Sequence, residues 1–163
     1  MRFALDYPDR TLGLALMAPF VTCWGNPVVQ EFWDAAVSTL TDPVDPAIAR
    51  EFQVGTLARP LPPAFLEMVI QESLKVPARV WKAAFEALMS GDFTGELGQI
   101  KAPARLIWGD QDALFPRSEQ EAIAAAIPGA ELLIYSGAGH ALHWEEPERA
   151  AADIVAFAQK FIR

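Results

Sequence analysis

The sequence of 163 residues is poor in the residues that form disulfides and metal sites. It has one cysteine, Cys23, so an internal disulfide is excluded and a reducing, cytoplasmic setting is expected. Its two histidines, His140 and His143, stand in a His-x-x-His pattern with one carboxylate nearby, which is poor spacing for zinc. We therefore expect neither a metal nor another cofactor.

Basic runs and long apolar runs are also missing. The chain carries 13 lysines and arginines against 21 acidic residues, and its formal net charge is −8. Nucleic acid is excluded as a partner, because phosphate contacts require a positive face. The apolar stretches are too short to span a membrane, and no signal-peptide pattern is visible at Met1.

The hydrophobic content, 52%, suits one packed domain or one domain with an inserted subdomain. Residues 1–25 form the first predicted core segment, with a helix end stopped by Pro8 and a strand at 12–18 that is apolar enough to be buried on both faces. A chain that begins inside the end of a helix looks cut.

Residues 26–100 contain only helical patterns. Apolar side chains recur at helical spacing in four segments, separated by Pro-rich and Gly-containing breaks. Because this all-helical insertion stands between two strand patterns, it is predicted to be a lid over the edge of the sheet.

Residues 101–163 form the second predicted core segment. The pattern predicts a strand at 104–108, a helix at 117–126, a strand at 131–135 and a last helix that opens at Pro147, with Glu145 and Glu146 beside its positive end. Strands separated by helices imply parallel pairing with right-handed crossovers. The predicted fold class is therefore α/β, with three parallel strands and flanking helices.

Two reactive side chains follow the last two predicted strands. Asp112 comes after an apolar run stopped by Gly109, and His140 comes after one stopped by a Gly-Ala-Gly turn. Ligands of a parallel sheet bind outside the carboxyl ends of its strands, so both side chains are expected at one edge. They are the candidate catalytic acid and base, and Asp110 is the rival acid, favoured as a turn residue.

The ordered set of a Gly109-x-x-Asp112 turn, a helix and a Gly137-x-Gly139-His140 turn, preceded by a helical insertion, resembles the C-terminal part of the α/β-hydrolase fold. The resemblance covers essentially the whole chain. It implies a partial α/β-hydrolase fold in which His140 is the general base and Asp112 holds its tautomer.

The family's nucleophile elbow, Gly-x-Ser-x-Gly, does not occur in this sequence. The segment around Cys23 does not resemble an elbow either, so a small buried side chain is its expected role. The resemblance implies that the parent protein is a serine-type hydrolase of small apolar esters, lactones or related carbonyl compounds. Its nucleophile would lie upstream of Met1.

Several alternatives remain open. A haloalkane dehalogenase or a carbon–carbon bond hydrolase would use the same fold, whereas the epoxide hydrolases are disfavoured because Tyr7 and Tyr135, the only tyrosines, lie outside the predicted lid. The chain could instead be a non-catalytic fragment, or a module that binds a small molecule without turnover.

Aromatic residues are the candidates for substrate binding. Three of them are predicted on loops at the edge that carries the acid and the base, and the others lie on helical stripes that suit a core equally well. The loop candidates are Trp24, Phe115 and Trp144, and the helical candidates are Trp33, Phe65, Trp81 and Phe85. His143 is expected to face the lid.

The predicted strand at 12–18 has a further implication. In the family resembled, this strand has a neighbour on its upstream side. Without that neighbour it becomes an edge with free backbone groups. We therefore expect self-association, or binding of a partner chain, at residues 12–18.

Overall fold

The computed structural model describes residues 1–161, which form a three-stranded parallel sheet in the order β1-β2-β3. This confirms the predicted α/β class with flanking helices; positions 162 and 163 of the second core segment lie outside the described residues. In chain order the elements are α1 (Arg2–Asp6), β1 (Leu14–Met17), α2 (Pro27–Ala35), α3 (Pro46–Gly55), α4 (Pro63–Leu74), α5 (Ala78–Ser90), β2 (Ala104–Gly109), α6 (Arg117–Ala126), β3 (Glu131–Tyr135), α7 (Leu142–Glu145) and α8 (Pro147–Ala158).

The central strand β2 separates two hydrophobic clusters. Leu106 belongs to the cluster with Ile123 of α6, and its neighbour Ile107 belongs to the cluster with Leu142 of α7. Successive side chains of a strand point to opposite faces, so the apolar run buries both faces of β2. Leu106 pairs with Leu16 on one side and with Leu132 on the other, which fixes the register of all three strands.

Strand β1 is shorter than the predicted strand at 12–18. Its ladder begins where the Leu14 amide donates to Pro103 O, and it ends before Ala18, whose φ of 41° leaves the extended region. The expected burial on both faces is wrong, because Leu12 and Met17 are exposed. Among the described residues β1 pairs only with β2, and this edge position explains the exposure.

Helices α2 to α5, residues 27–90, lie within the predicted helical insertion, whereas Leu97 and Ile100 at its predicted end pack in the sheet cluster of Leu106. These helices have a hydrophobic core of their own, in which Val37 and Leu40 pack with Trp81 and Phe85 of α5. Thr22, which precedes α2, and Asp92, which follows α5, form an antiparallel bridge. The insertion is therefore a separately packed unit with adjoining ends.

Residues 1–161 lack two features, a membrane-spanning helix and a cluster of metal-binding side chains. None of the helices there has both the length and the apolar character needed to cross a bilayer. That part of the chain also has no group of three or more histidine, cysteine or acidic side chains placed to share a metal ion.

Candidate active site

Asp112 is held in the loop that follows β2. Its side chain is fully buried, and its Oδ1 accepts hydrogen bonds from the backbone amides of Leu114 (2.8 Å) and Phe115 (3.1 Å). The local turn thus orients the carboxylate and satisfies one of its oxygens. The other oxygen, Oδ2, is free to reach across to the loop after β3.

His140 lies at the end of that second loop, residues 136–141, which we call the histidine loop. Its Nδ1 is 2.9 Å from Asp112 Oδ2, and 23% of its side chain is exposed. A carboxylate at Nδ1 favours the tautomer with the proton on that nitrogen, which leaves Nε2 as the acceptor. The pair therefore has the geometry of an acid that orients a base.

Asp110, the rival acid, binds the histidine loop in a different way. It accepts hydrogen bonds from the Gly137 amide (2.6 Å) and the Ser136 hydroxyl (3.0 Å). The pKa of its carboxyl group is lowered by the bond from Gly137 foremost, then by the Gln111 side chain and by Ser136. Among the described residues, the side-chain hydrogen bonds of Asp110 do not include one with His140. Asp110 ties the two loops together, and Asp112 faces the imidazole.

Gly109 permits this close approach of the two loops. A Cβ atom at Gly109 would overlap the carbonyl oxygen of Ala138 and lie 2.5 Å from that of Gly139. The amide of Gln111 donates to Ala138 O across the same contact (2.9 Å). The backbone of the histidine loop thus rests directly on the end of β2.

His140 lines a cavity of about 380 Å³ between the sheet edge and the helical insertion. The walls are mostly apolar, and they include Phe20, Phe32, Phe52, Phe85, Leu88, Leu114 and Phe115. Two carboxylates, Glu31 and Glu51, also line it, whereas no lysine or arginine of residues 1–161 does. The cavity suits a small ligand that is apolar and does not bear a negative charge.

The structure brings Phe85 and Phe115 of the predicted binding residues to this cavity. Trp33 and Trp81 pack instead within the core of the insertion, where Trp81 meets Phe52 edge-on at a centroid distance of 5.2 Å. Trp24 is exposed and borders a separate cavity of about 450 Å³, whose lining does not include His140. Helical spacing alone could not tell the cavity residue Phe85 from the core residues Trp33 and Trp81, because the insertion buries apolar side chains on more than one side.

Trp144 lies in helix α7, not in the predicted loop, since its amide donates to Ala141 O and closes a helical turn. Its ring meets Phe65 at a centroid distance of 6.4 Å and does not border the cavity of His140. His143, in the same turn, has a buried Nδ1 without a hydrogen-bond partner among the described residues. Burial, and secondarily His140, lowers the pKa of His143.

Cys23 is buried and borders the cavity. Burial, together with the charge of Glu119, raises the pKa of its thiol to about 11. A nucleophilic cysteine needs a lowered pKa, so the thiolate required for attack is scarce near neutral pH. This environment argues against Cys23 as a nucleophile.

The sequence pattern missed Glu145 as a residue of the site. The pattern predicts only a favourable charge near the start of the last helix. In the structure the Glu145 carboxylate is buried and accepts a hydrogen bond from the Gly139 amide at 2.9 Å. An acidic residue shortly after Gly-x-Gly-His was a visible signal, but spacing alone does not show the direction of its side chain.

Comparison with protein families matches residues 70–147 to the model of the alpha/beta hydrolase fold. A curated relative, the 2-hydroxy-6-oxo-6-phenylhexa-2,4-dienoate hydrolase of Burkholderia cepacia, is 27% identical over 91% of this chain and 54% of its own length. A 2-hydroxy-6-oxononadienedioate/2-hydroxy-6-oxononatrienedioate hydrolase of Klebsiella pneumoniae is 39% identical over 35% of this chain and 20% of its own length.

Solved structures agree on the fold. The enol-lactonase from Burkholderia xenovorans superposes with a TM-score of 0.82 at 22% identity, covering 96% of this chain and 60% of that protein. A thermophilic esterase from Thermogutta terrifontis gives 0.78 at 25% identity, with coverage of 98% and 60%. Two curated relatives match this chain over more than nine tenths of its length, and the chain spans 54% and 57% of their lengths.

Proposed function

Since this chain belongs to the α/β-hydrolase fold family, we propose that Asp112 and His140 are the acid and the base of a hydrolase whose nucleophile is supplied by a segment outside these 163 residues. The contact of 2.9 Å between a fully buried carboxylate and an imidazole that borders a cavity carries the proposal. His140 Nε2 takes the proton of the nucleophile during attack and gives it to the leaving group, and then activates water. Asp112 stabilises the imidazolium between these steps.

The cavity supports a small, uncharged and apolar carbonyl compound as the substrate, an ester or a lactone. Its phenylalanine walls favour an apolar acyl group, and the carboxylates of Glu31 and Glu51 repel an anion. Hydrolysis of a carbon–carbon bond is the second candidate. It is supported by the names of the curated relatives, which are hydrolases of 2-hydroxy-6-oxo dienoates and dienedioates. A carboxylate-bearing substrate would need a cation, which the described lining lacks.

Ester hydrolysis by this chain tests whether His140 Nε2 is free of a proton and open to the cavity, as the proposed base requires, because such a nitrogen also attacks activated esters itself. We expect p-nitrophenyl butyrate at pH 8 to be cleaved about tenfold or more faster than by the same concentration of free imidazole. The substitution His140→Ala should abolish this excess, and His143→Ala should leave it within about twofold, because His143 does not border the cavity. Equal rates for the chain and its His140→Ala variant would contradict the proposal.

The open edge of β1 is the proposed docking place for the segment that carries the nucleophile. Leu14 N and Ala18 N donate to Pro103 O and Ile107 O of the β2 side, so the intervening amides of Ala15 and Met17 face the open edge. A parallel strand placed there would satisfy them. It would also bring the carboxyl end of a new strand to the edge that holds Asp112 and His140.

An unpaired edge of this kind should make the isolated chain self-associate at micromolar concentrations. A lysine in place of Met17 should reduce the association, because an edge charge opposes strand addition. Met68→Lys is the matched control, since Met68 is also exposed but lies on α4 of the insertion. A monodisperse monomer by light scattering, with a cooperative melt, would count against the open edge as a docking place.

A further inference from the structure

Glu145 places a buried negative charge between the helical insertion and the histidine loop. Only 1% of its side chain is exposed. Its Oε1 accepts hydrogen bonds from the backbone amides of Ala58 (2.7 Å) and Arg59 (3.4 Å), and its Oε2 accepts one from Gly139 (2.9 Å). One carboxylate therefore joins two segments that are some eighty residues apart in the sequence.

The two segments are in contact on both sides of His140. On one side Gly139 packs so closely that an added Cβ would lie 2.5 Å from Ala58 N and 2.9 Å from Thr56 O. On the other side the Ala141 amide donates to Thr56 O at 3.0 Å. Both chain neighbours of His140 are thus bound to residues 56–59, which we call the insertion turn.

The charge of Glu145 is matched mainly by backbone amides. The guanidinium of Arg59 adds an ion pair at 3.6 Å, but that side chain is largely exposed and its pKa is raised chiefly by Glu146. Replacing a buried carboxylate that accepts hydrogen bonds from backbone amides destabilises a protein much more than breaking a surface ion pair does. The reason is that the buried amides are left without acceptors. The hydrogen-bonding pattern is therefore specific to an acceptor with two oxygens at this position.

We propose that Glu145 is a positioning residue for the general base. By fixing Gly139 against the insertion turn, it sets the backbone from which His140 reaches Asp112. A displacement of the insertion at residues 56–59 would break the same bonds and move the imidazole, so the arrangement of the helical insertion and the placement of the base are coupled. The inference rests on the proposed role of His140 and adds a residue that the Asp–His pair does not contain.

The imidazole itself supplies the readout. The proton on His140 Nδ1, held by Asp112, should give a resolved low-field NMR signal that exchanges slowly with water. Glu145→Ala should speed this exchange by about tenfold or more, with a similar increase in hydrogen exchange at the Ala58 and Gly139 amides. Glu145→Gln keeps the shape but only one acceptor oxygen, so its effect should be intermediate.

Glu146→Gln is the matched control. Glu146, which directly follows α7, also binds the insertion turn, but only through the side chain of Arg59 at 2.6 Å, and its side chain accepts no amide of the histidine loop. In Glu146→Gln, the exchange rates of the His140 Nδ1 proton and of the Ala58 and Gly139 amides should stay within about twofold of those in the unaltered chain. Asp112→Asn provides the reference for complete loss of the signal.

A folded Glu145→Ala protein with unchanged exchange at His140 would overturn the inference. If that variant does not fold, Glu145→Gln decides it by the same measurement, and an unchanged signal again contradicts it. The outcome is separable from the proposed function, because ester hydrolysis unaffected by His140→Ala would refute the catalytic base. The Glu145 variants, by contrast, report only where the imidazole is held.

Discussion

Asp112→Asn should reduce the ester hydrolysis of this chain to the level of His140→Ala, and in an enzyme completed by its nucleophile it should lower kcat by about 10⁴-fold. The amide oxygen of the asparagine will stay on the Leu114 and Phe115 amides, since its NH2 group cannot face two donors. The NH2 group then donates to His140 Nδ1. The imidazole proton therefore moves to Nε2. A base that accepts a proton through Nε2 must have no proton on that nitrogen, so the activity is lost.

The tautomer makes this prediction checkable apart from the rate. Nitrogen chemical shifts of His140 should show protonated Nδ1 in the unaltered chain and protonated Nε2 in Asp112→Asn. Asp110→Asn is the matched control, because Asp110 lies two positions earlier and binds Gly137 and Ser136, not the imidazole. An unchanged tautomer in Asp112→Asn, or an equal change in Asp110→Asn, would contradict the assigned roles.

Gly109→Ala should destabilise the fold by about 3 kcal/mol or more. The three atoms nearest its Cβ would be backbone atoms, in the carbonyls of Ala138 and Gly139, which cannot move aside as a flexible side chain can. To make room, the histidine loop must leave the end of β2. The contact between Asp112 and His140 would be lost together with the stability.

Chemical denaturation measures this effect in the isolated chain. Gly95→Ala is the control, because nothing lies within 4 Å of a Cβ added there, and its midpoint should change little. A Gly109→Ala midpoint close to that of Gly95→Ala would mean that the loops separate easily. It would remove the structural reason given for the fixed position of His140.

The sequence predicted the sheet and the Asp112–His140 pair well because both follow from local patterns. The strands at 104–108 and 131–135 are apolar runs stopped by Gly109 and by the Gly-Ala-Gly turn, and the structure has them as Ala104–Gly109 and Glu131–Tyr135. Parallel topology then brings the residues after both strands to one edge. The meeting of Asp112 with His140 needed no knowledge of side-chain packing.

The cavity walls and the role of Glu145 could not be predicted in that way. Trp81 and Phe85 lie one helical turn apart on α5, yet only Phe85 borders the cavity, because the packing of α5 against the other helices decides which side chain faces inward. The Glu145 side chain turns back to Gly139 and Ala58, a tertiary arrangement that a charge pattern at a helix start does not contain. Strand β1 was predicted too long because an apolar run alone does not show how many faces of a strand are covered, and Leu12 and Met17 are exposed.

The bridge between Thr22 and Asp92 brings the chain back to the place from which it left for the helical insertion. Opposed residues of an antiparallel pair have Cα atoms only about 5 Å apart, so the intervening residues can be exchanged for another insertion without altering the order of the strands. One condition limits the exchange. Any replacement must offer Glu145 a turn with two free backbone amides, as Ala58 and Arg59 do. If the proposed roles of His140 and Glu145 hold, a replaced insertion would change the walls of the cavity but would have to keep this turn.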